Sequence, residues 1–253
     1  MNGAHSANNQ VSCIIPDNLD GMVHHRRGTR HPTKLAPRYD RSEYRIDHTT
    51  STTWSHVNQE HKVKDLERFH CFVIKSFSET NFHKSLKYGI WTSTFANNRC
   101  LDQIYREEMQ KSSPCPILFF FSVCKSRHFN GIARMSSPLV NDQKFLLWDK
   151  QKYGAFFSVE WLVVKDVPNY ILKHIRWSHF AVNNSLVSCR DCEKIPKEEA
   201  SQSISLFCNY QSTTSAWDDF QYFDQKQKEL EDKRGIDAET DSPFRQVGSE
   251  VEL

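Results

Sequence analysis

No run of about 18 apolar residues, the length a membrane-spanning helix needs, occurs in this 253-residue chain. The longest apolar stretch, Ile117 to Phe121, is strand-sized. Met1 to Gln10 is polar and lacks the apolar core of a signal peptide. Together these features predict an intracellular protein with no membrane partner, cytoplasmic, with the nucleus as the alternative. Glycine is scarce, at eight residues, and no glycines cluster into a phosphate-cradling loop. The Gly-x-Ser-x-Gly elbow, the His-Glu-x-x-His zinc pair and the Asp-rich calcium loop are absent as well. No catalytic residue, metal or cofactor is therefore expected. The hydrophobic fraction of 38% is low for a chain packed throughout, where about 45–50% apolar (glycine included) is usual. It predicts one packed domain with loosely packed flanks.

The net charge of +2 conceals an asymmetry. Residues 66–210 hold 19 Lys and Arg against 13 Asp and Glu, whereas residues 211–253 hold 5 against 11. A basic body beside an acidic tail suits a polyanionic partner, most simply nucleic acid. The alternative is a solvated surface with a solubilising tail. The eight cysteines sit mostly in or beside apolar runs, as Cys71 and Cys115 do, and read as reduced core residues. Cys189-Arg-Asp-Cys192 lacks a second ligand pair for zinc and a βαβ context for redox work, so it reads as fortuitous.

Residues 1–65 are polar, without sustained periodicity, and are predicted to be a disordered, partly basic leader. Residues 66–210 mix strand and helix signals. Strands are predicted at Phe72–Ile74, Cys115–Val123, Phe129–Met135 and Gly154–Val164, with a break at Val167-Pro168-Asn169. Helices are predicted at Glu79–Tyr88, capped by Ser78 or Ser76, at Leu101–Gln110 and at Lys197–Tyr210. There is no regular βαβ repeat. The fold class is α/β, a single domain with a mixed sheet or open barrel of about six strands surrounded by helices. Residues 211–234 read as a helical extension and 235–253 as an acidic disordered tail.

Two of the six tryptophans stand where helices or strands give way to polar loops. Trp91 precedes Thr92 to Asn98, and Trp148 precedes Asp149 to Gly154. Aromatic rings in such places can stack on a flat base or hold a methylated amine. They can equally cap a core.

The ordered motifs carry a resemblance. Phe72-Val-Ile-Lys-Ser76-Phe-Ser-Glu79, His83-Lys-Ser-Leu-Lys-Tyr-Gly-Ile-Trp91-Thr-Ser-Thr94, Leu118 to Val123, Phe129 to Met135, Val159 to Asn169, His174-Ile175 and Cys189-Arg-Asp191 occur in sequence. In that arrangement residues 68–210 resemble a YTH domain. The helix ending in Asp218-Asp219-Phe220 is similar to that of the cytoplasmic subgroup, including its plant members.

The resemblance implies a non-catalytic reader of N6-methyladenosine in single-stranded RNA that influences mRNA fate and stability. It places an aromatic cage at Trp91, Trp148 and Tyr153, the last where animal and plant cytoplasmic members usually have Trp and fungal members use Tyr. It assigns base contacts to Asn81 and to the carbonyl of Thr92. Lys75, Ser76, Asn98, Arg99, Arg190 and Asp191 would line the RNA backbone and the pocket rim. Effector proteins would engage the disordered flanks. Three positions depart from the family pattern: Cys100 replaces a basic residue, Cys124 replaces an Asn, and the 177–188 loop diverges and is one residue longer. The open alternatives are a binder of RNA sequence indifferent to the methyl group, a protein-interaction domain that has lost RNA binding, and an enzyme acting on a modified base.

Overall fold

Ile117–Val123 is almost wholly apolar, and such a strand must be covered on both faces. The computed structural model describes residues 57–150, 153–179, 182–235 and 244–246, and it covers the strand in that way. In chain order the elements are α1 (His61–Lys64), β1 (His70–Ser76), α2 (Glu79–Tyr88), β2 (Ile90–Trp91), α3 (Phe95–Met109), β3 (Ile117–Val123), β4 (His128–Met135), β5 (Gln143–Phe145) and β6 (Phe157–Pro168). There follow α4 (Asn169–Leu172), β7 (Arg176–His179), β8 (Val182–Ser185), β9 (Lys194–Ile195), α5 (Lys197–Asn209), α6 (Phe220–Arg234) and β10 (Phe244–Gln246).

Six strands form one mixed sheet in the order β2-β6-β4-β3-β1-β9. β1 and β3 run parallel, joined through α2, β2 and α3. The remaining pairs of that sheet are antiparallel. Side chains alternate across the strands. Phe72, Ile74, Phe119 and Phe121 enter one core with Phe82 and Leu86 of α2, Leu101 of α3 and Trp217 before α6. Cys71, Val73, Leu118 and Phe120 enter the other with Val63 of α1, Leu172 of α4 and Ala200, Ile204 and Phe207 of α5. The mixed six-stranded sheet expected from the sequence is the sheet observed.

α2 starts where the Ser78 hydroxyl accepts the Asn81 N–H at 3.2 Å. It stops at Gly89, whose φ of +63° suits glycine and turns the chain at once into β2. Gly131 of β4 has another task. A Cβ there would lie 2.7 Å from the Val163 carbonyl oxygen and 2.9 Å from Trp161 Cζ3. The Trp161 indole therefore packs over bare backbone and donates from Nε1 to the Ser85 carbonyl of α2 at 3.1 Å.

The structure differs from the sequence reading in several places. Residues 57–65 are not all leader: α1 lies here, and Val57 and Val63 are buried in the two cores. Two isolated valines in a polar stretch carry too little pattern to announce this. Residues 1–56 lie outside the described residues. Within the tail, Phe244–Gln246 adds antiparallel to β5, so 235–253 is not wholly without structure. β6 runs on to Pro168, because Pro168 ends the strand where its missing N–H costs nothing. α3 begins six residues earlier than expected, at Phe95, since the Thr94 hydroxyl accepts the Asn97 N–H. The divergent 177–188 loop contains most of the β7–β8 hairpin. Of the described cysteines, 71, 115, 124, 189, 192 and 208 are free thiols. Burial pushes the Cys189 thiol up to about 12, the opposite of a redox or metal-binding thiolate.

Candidate nucleic-acid interface

Trp91 and Trp148 come together. Their ring centroids are 6.0 Å apart with planes at 78°. Trp91 stands on β2, which pairs with the start of β6, and its ring meets Phe121 edge-on at 5.0 Å. Trp148 lies between β5 and β6, its ring edge-on to Phe145 at 4.9 Å. The two indoles thus form a perpendicular corner braced by core phenylalanines. Both are more buried than loop-facing rings were expected to be, at 5% and 1% exposure. Neither indole N–H has a hydrogen-bond acceptor among the described residues.

Tyr153 packs against the same core and lines an open groove of about 440 Å³ with Ser93, Thr94, Phe95, Asn98, Lys144 and Gly154. The Thr92 hydroxyl ties this wall to the Trp91 strand by donating to the Ala155 carbonyl at 2.6 Å. A second cavity of about 180 Å³ is lined by Glu79, His83, His128, Asp166 and Asp219. Its acidic lining is unsuited to a polyanion.

The expected rim residues divide into exposed groups and buried braces. Asn98 is buried; its amide accepts the Ser93 N–H at 2.9 Å and donates to the Thr92 hydroxyl at 3.2 Å. Ser76 is buried and donates to the Ser78 carbonyl. Ser76 thus braces the turn after β1, while Asn98 braces the loop after Trp91 from within the groove it lines. Asp191 accepts the Lys75 N–H at 2.9 Å and the Ser93 hydroxyl at 2.7 Å, joining the end of β1 to the loop after Trp91. Burial raises its carboxyl above the usual range, against the pull of those hydrogen bonds.

The Lys75 ammonium lies 4.7 Å from the centroid of Phe129, which belongs to the core on the other side of the sheet from the indoles. Burial lowers its pKa, opposed by Cys189, Cys124 and Asp191. Arg99 stands on α3 with its guanidinium 5.6 Å from the Phe95 ring, itself 76% exposed. Arg190 is exposed and its guanidinium has no ion pair or hydrogen bond among the described residues, while its backbone N–H donates to Glu193. It is the rim cation most available to a phosphate.

Asn81 has a partner the sequence did not suggest. Its side-chain oxygen accepts the Asp149 N–H at 3.0 Å, so it holds the loop just after Trp148. Its NH2 group remains as the donor to offer a base. The Asp149 carboxylate accepts from Ser78, Thr80 and Lys84, joining that loop to the first turn of α2. Those hydrogen bonds, with the Lys84 charge, hold it below the usual carboxylate range despite burial. Phe95 and the Asp149 network went unread in the sequence. The only local signal is the pair of hydroxyls at Ser78 and Thr80, of which the sequence reading uses Ser78 alone, as a cap.

The sequence profile of the YTH family, described as the YT521-B-like domain, matches residues 69–208. The chain is 37% identical over 163 residues to the YTH domain-containing protein ECT4 of Arabidopsis thaliana, a match covering 64% of this chain and 27% of that protein. It is 40% identical over 160 residues to the mouse YTH domain-containing family protein 1, covering 63% and 28%. The matches thus span little more than a quarter of these curated relatives' length. The crystal structure of the YTH domain of Zygosaccharomyces rouxii MRB1 in complex with N6-methyladenosine RNA aligns with a TM-score of 0.52 and 33% identity, covering 58% of this chain and 92% of that one. The Pho92 YTH domain in complex with m6A aligns at 0.53 and 33%, covering 58% and 90%.

Proposed function

Because the chain belongs to the YTH family of YT521-B-like domains, we propose that it binds single-stranded RNA and reads N6-methyladenosine, without catalysing a reaction. The observation that carries this reading is the perpendicular pair Trp91 and Trp148, joined through the Thr92–Ala155 contact to the Tyr153 groove. Similarity to two YTH domains solved with the methylated base or RNA supports it. In this reading the three rings enclose the N6-methyl group. Burying one methyl is worth about 0.8 kcal/mol, and contacts across a snug aromatic wall add to it. The Thr92 carbonyl accepts the remaining N6–H, and the Asn81 NH2 donates to a ring nitrogen, which needs no buried charge. Arg190 meets a phosphate, with Lys75 beside it at the end of β1.

An effect on mRNA stability in the cytoplasm, exerted through effector proteins on the flanks, is part of the same proposal. The burial of both indoles favours a second reading, in which they serve the core and the Phe95–Tyr153 groove binds RNA irrespective of methylation. Paired titrations with methylated and unmethylated oligoribonucleotides at fixed salt separate the two. A clear methyl preference supports the first reading, and equal affinities support the second.

A further inference from the structure

The segment that carries Trp148 has no regular secondary structure, yet it is fastened from the far end of the chain. Arg234, the last residue of α6, donates from Nη1 to the carbonyls of Leu146 at 2.6 Å and Trp148 at 3.0 Å, and from Nη2 to that of Asp149 at 3.4 Å. One guanidinium thus gathers carbonyls on both sides of the Trp148 side chain. Its planar fork of five donors suits such a task, and a lysine ammonium does not match that geometry.

Two further contacts bring the C-terminal region to the same place. α6 is seated on α2 through Lys87–Asp224 at 2.8 Å and through the Gln227 amide donating to the Tyr88 hydroxyl at 2.7 Å. Beyond α6, β10 pairs with β5, setting Phe244 opposite Phe145, three residues before Trp148. Arg234, the rest of α6 and β10 all lie beyond residues 69–208, which the family profile matches.

We infer that Arg234 is a positioning residue for Trp148, so that α6, outside the matched domain, sets the second wall of the aromatic corner. The functional consequence rests on the reader assignment: freeing the Trp148 backbone loosens one wall and erodes discrimination of the methyl group. Contacts to phosphates, made elsewhere, are untouched.

The test uses the full chain as wild type, Arg234→Ala, Arg234→Lys and Lys87→Ala, the last removing the Lys87–Asp224 ion pair while leaving the Arg234 guanidinium in place. Each is titrated with methylated and unmethylated oligoribonucleotides, and hydrogen exchange is followed at the amides of residues 147–150. Arg234→Ala should weaken binding of the methylated oligonucleotide about tenfold, the size expected for losing a charged hydrogen bond, and leave the unmethylated one within about twofold. Exchange at residues 147–150 should rise. Arg234→Lys should recover part of both effects, and Lys87→Ala should keep the wild-type preference. Unchanged preference and unchanged exchange in Arg234→Ala would overturn the inference, as would equal weakening of both oligonucleotides. If wild type itself shows no methyl preference, the reader assignment fails, and the exchange measurement alone decides whether Arg234 positions the loop.

Discussion

Lys84 and Asp149 form an ion pair at 2.9 Å in which the lysine side chain is 2% exposed and the aspartate 36%. The pair joins the body of α2 to the loop that carries Trp148. Removing the carboxylate strands a buried ammonium, which costs more than losing a surface pair. Asp149→Asn should therefore destabilise the protein by about 2 kcal/mol, discounted for the aspartate's partial exposure. Lys84→Met keeps the apolar stem and removes the charge, so it should cost less. Chemical denaturation of the two variants checks the order; equal losses would mean that the charge pairing is immaterial.

His83 links stability to pH. It is buried beneath Phe220 and Phe223 of α6, at centroid distances of 4.4 and 5.8 Å. Burial lowers its pKa to about 4, with Lys87 and Lys84 pushing the same way and Asp224, 3.4 Å away, pulling back. The unfolded chain takes up this proton near 6.5. The contribution of His83 is therefore present above pH 6.5 and is lost as pH falls towards 4, amounting to about 3 kcal/mol. His83→Phe should flatten that part of the stability profile, measured by thermal unfolding between pH 4 and 8.

Gly131→Ala tests the packing of β6 over β4. The new methyl would meet the Val163 carbonyl oxygen at 2.7 Å, and backbone cannot swing aside. A loss of about 3 kcal/mol is expected from overpacking, read as a lowered denaturation midpoint. A loss below 1 kcal/mol would show that the strands can part.

Arg190→Ala separates phosphate contact from base recognition. The side chain is exposed and unpaired among the described residues. The variant should weaken methylated and unmethylated RNA alike and shallow the dependence of log affinity on log salt by about one unit. Loss confined to the methylated oligonucleotide would move Arg190 from the backbone to the cage.

Much of this fold was legible because its signals are local. Ile117 to Val123 announces a strand buried on both faces, and Ser78 and Gly89 delimit α2 to the residue. The pairing of Trp91 with Trp148 was legible only through the family resemblance, since the two are 57 positions apart and neither loop names the other. The bracing roles of Asn98 and Ser76 escaped the sequence for a related reason. A polar residue next to a candidate pocket looks like a rim group until the backbone donors and acceptors it satisfies are known. The Arg234 clamp and the Asp149 network depend on long-range contacts to backbone carbonyls and helix-end hydroxyls, which no spacing in the sequence encodes.

The central claim is that Trp91 and Trp148 discriminate one methyl group, and a titration tests it most directly. A methylated oligoribonucleotide and its unmethylated twin are titrated, at one salt concentration, into wild type and Trp91→Ala. The account predicts that wild type binds the methylated strand at least about tenfold more tightly, roughly 1.4 kcal/mol, and that Trp91→Ala binds the two strands alike. Equal affinities in wild type, or a methyl preference that survives Trp91→Ala, would contradict it.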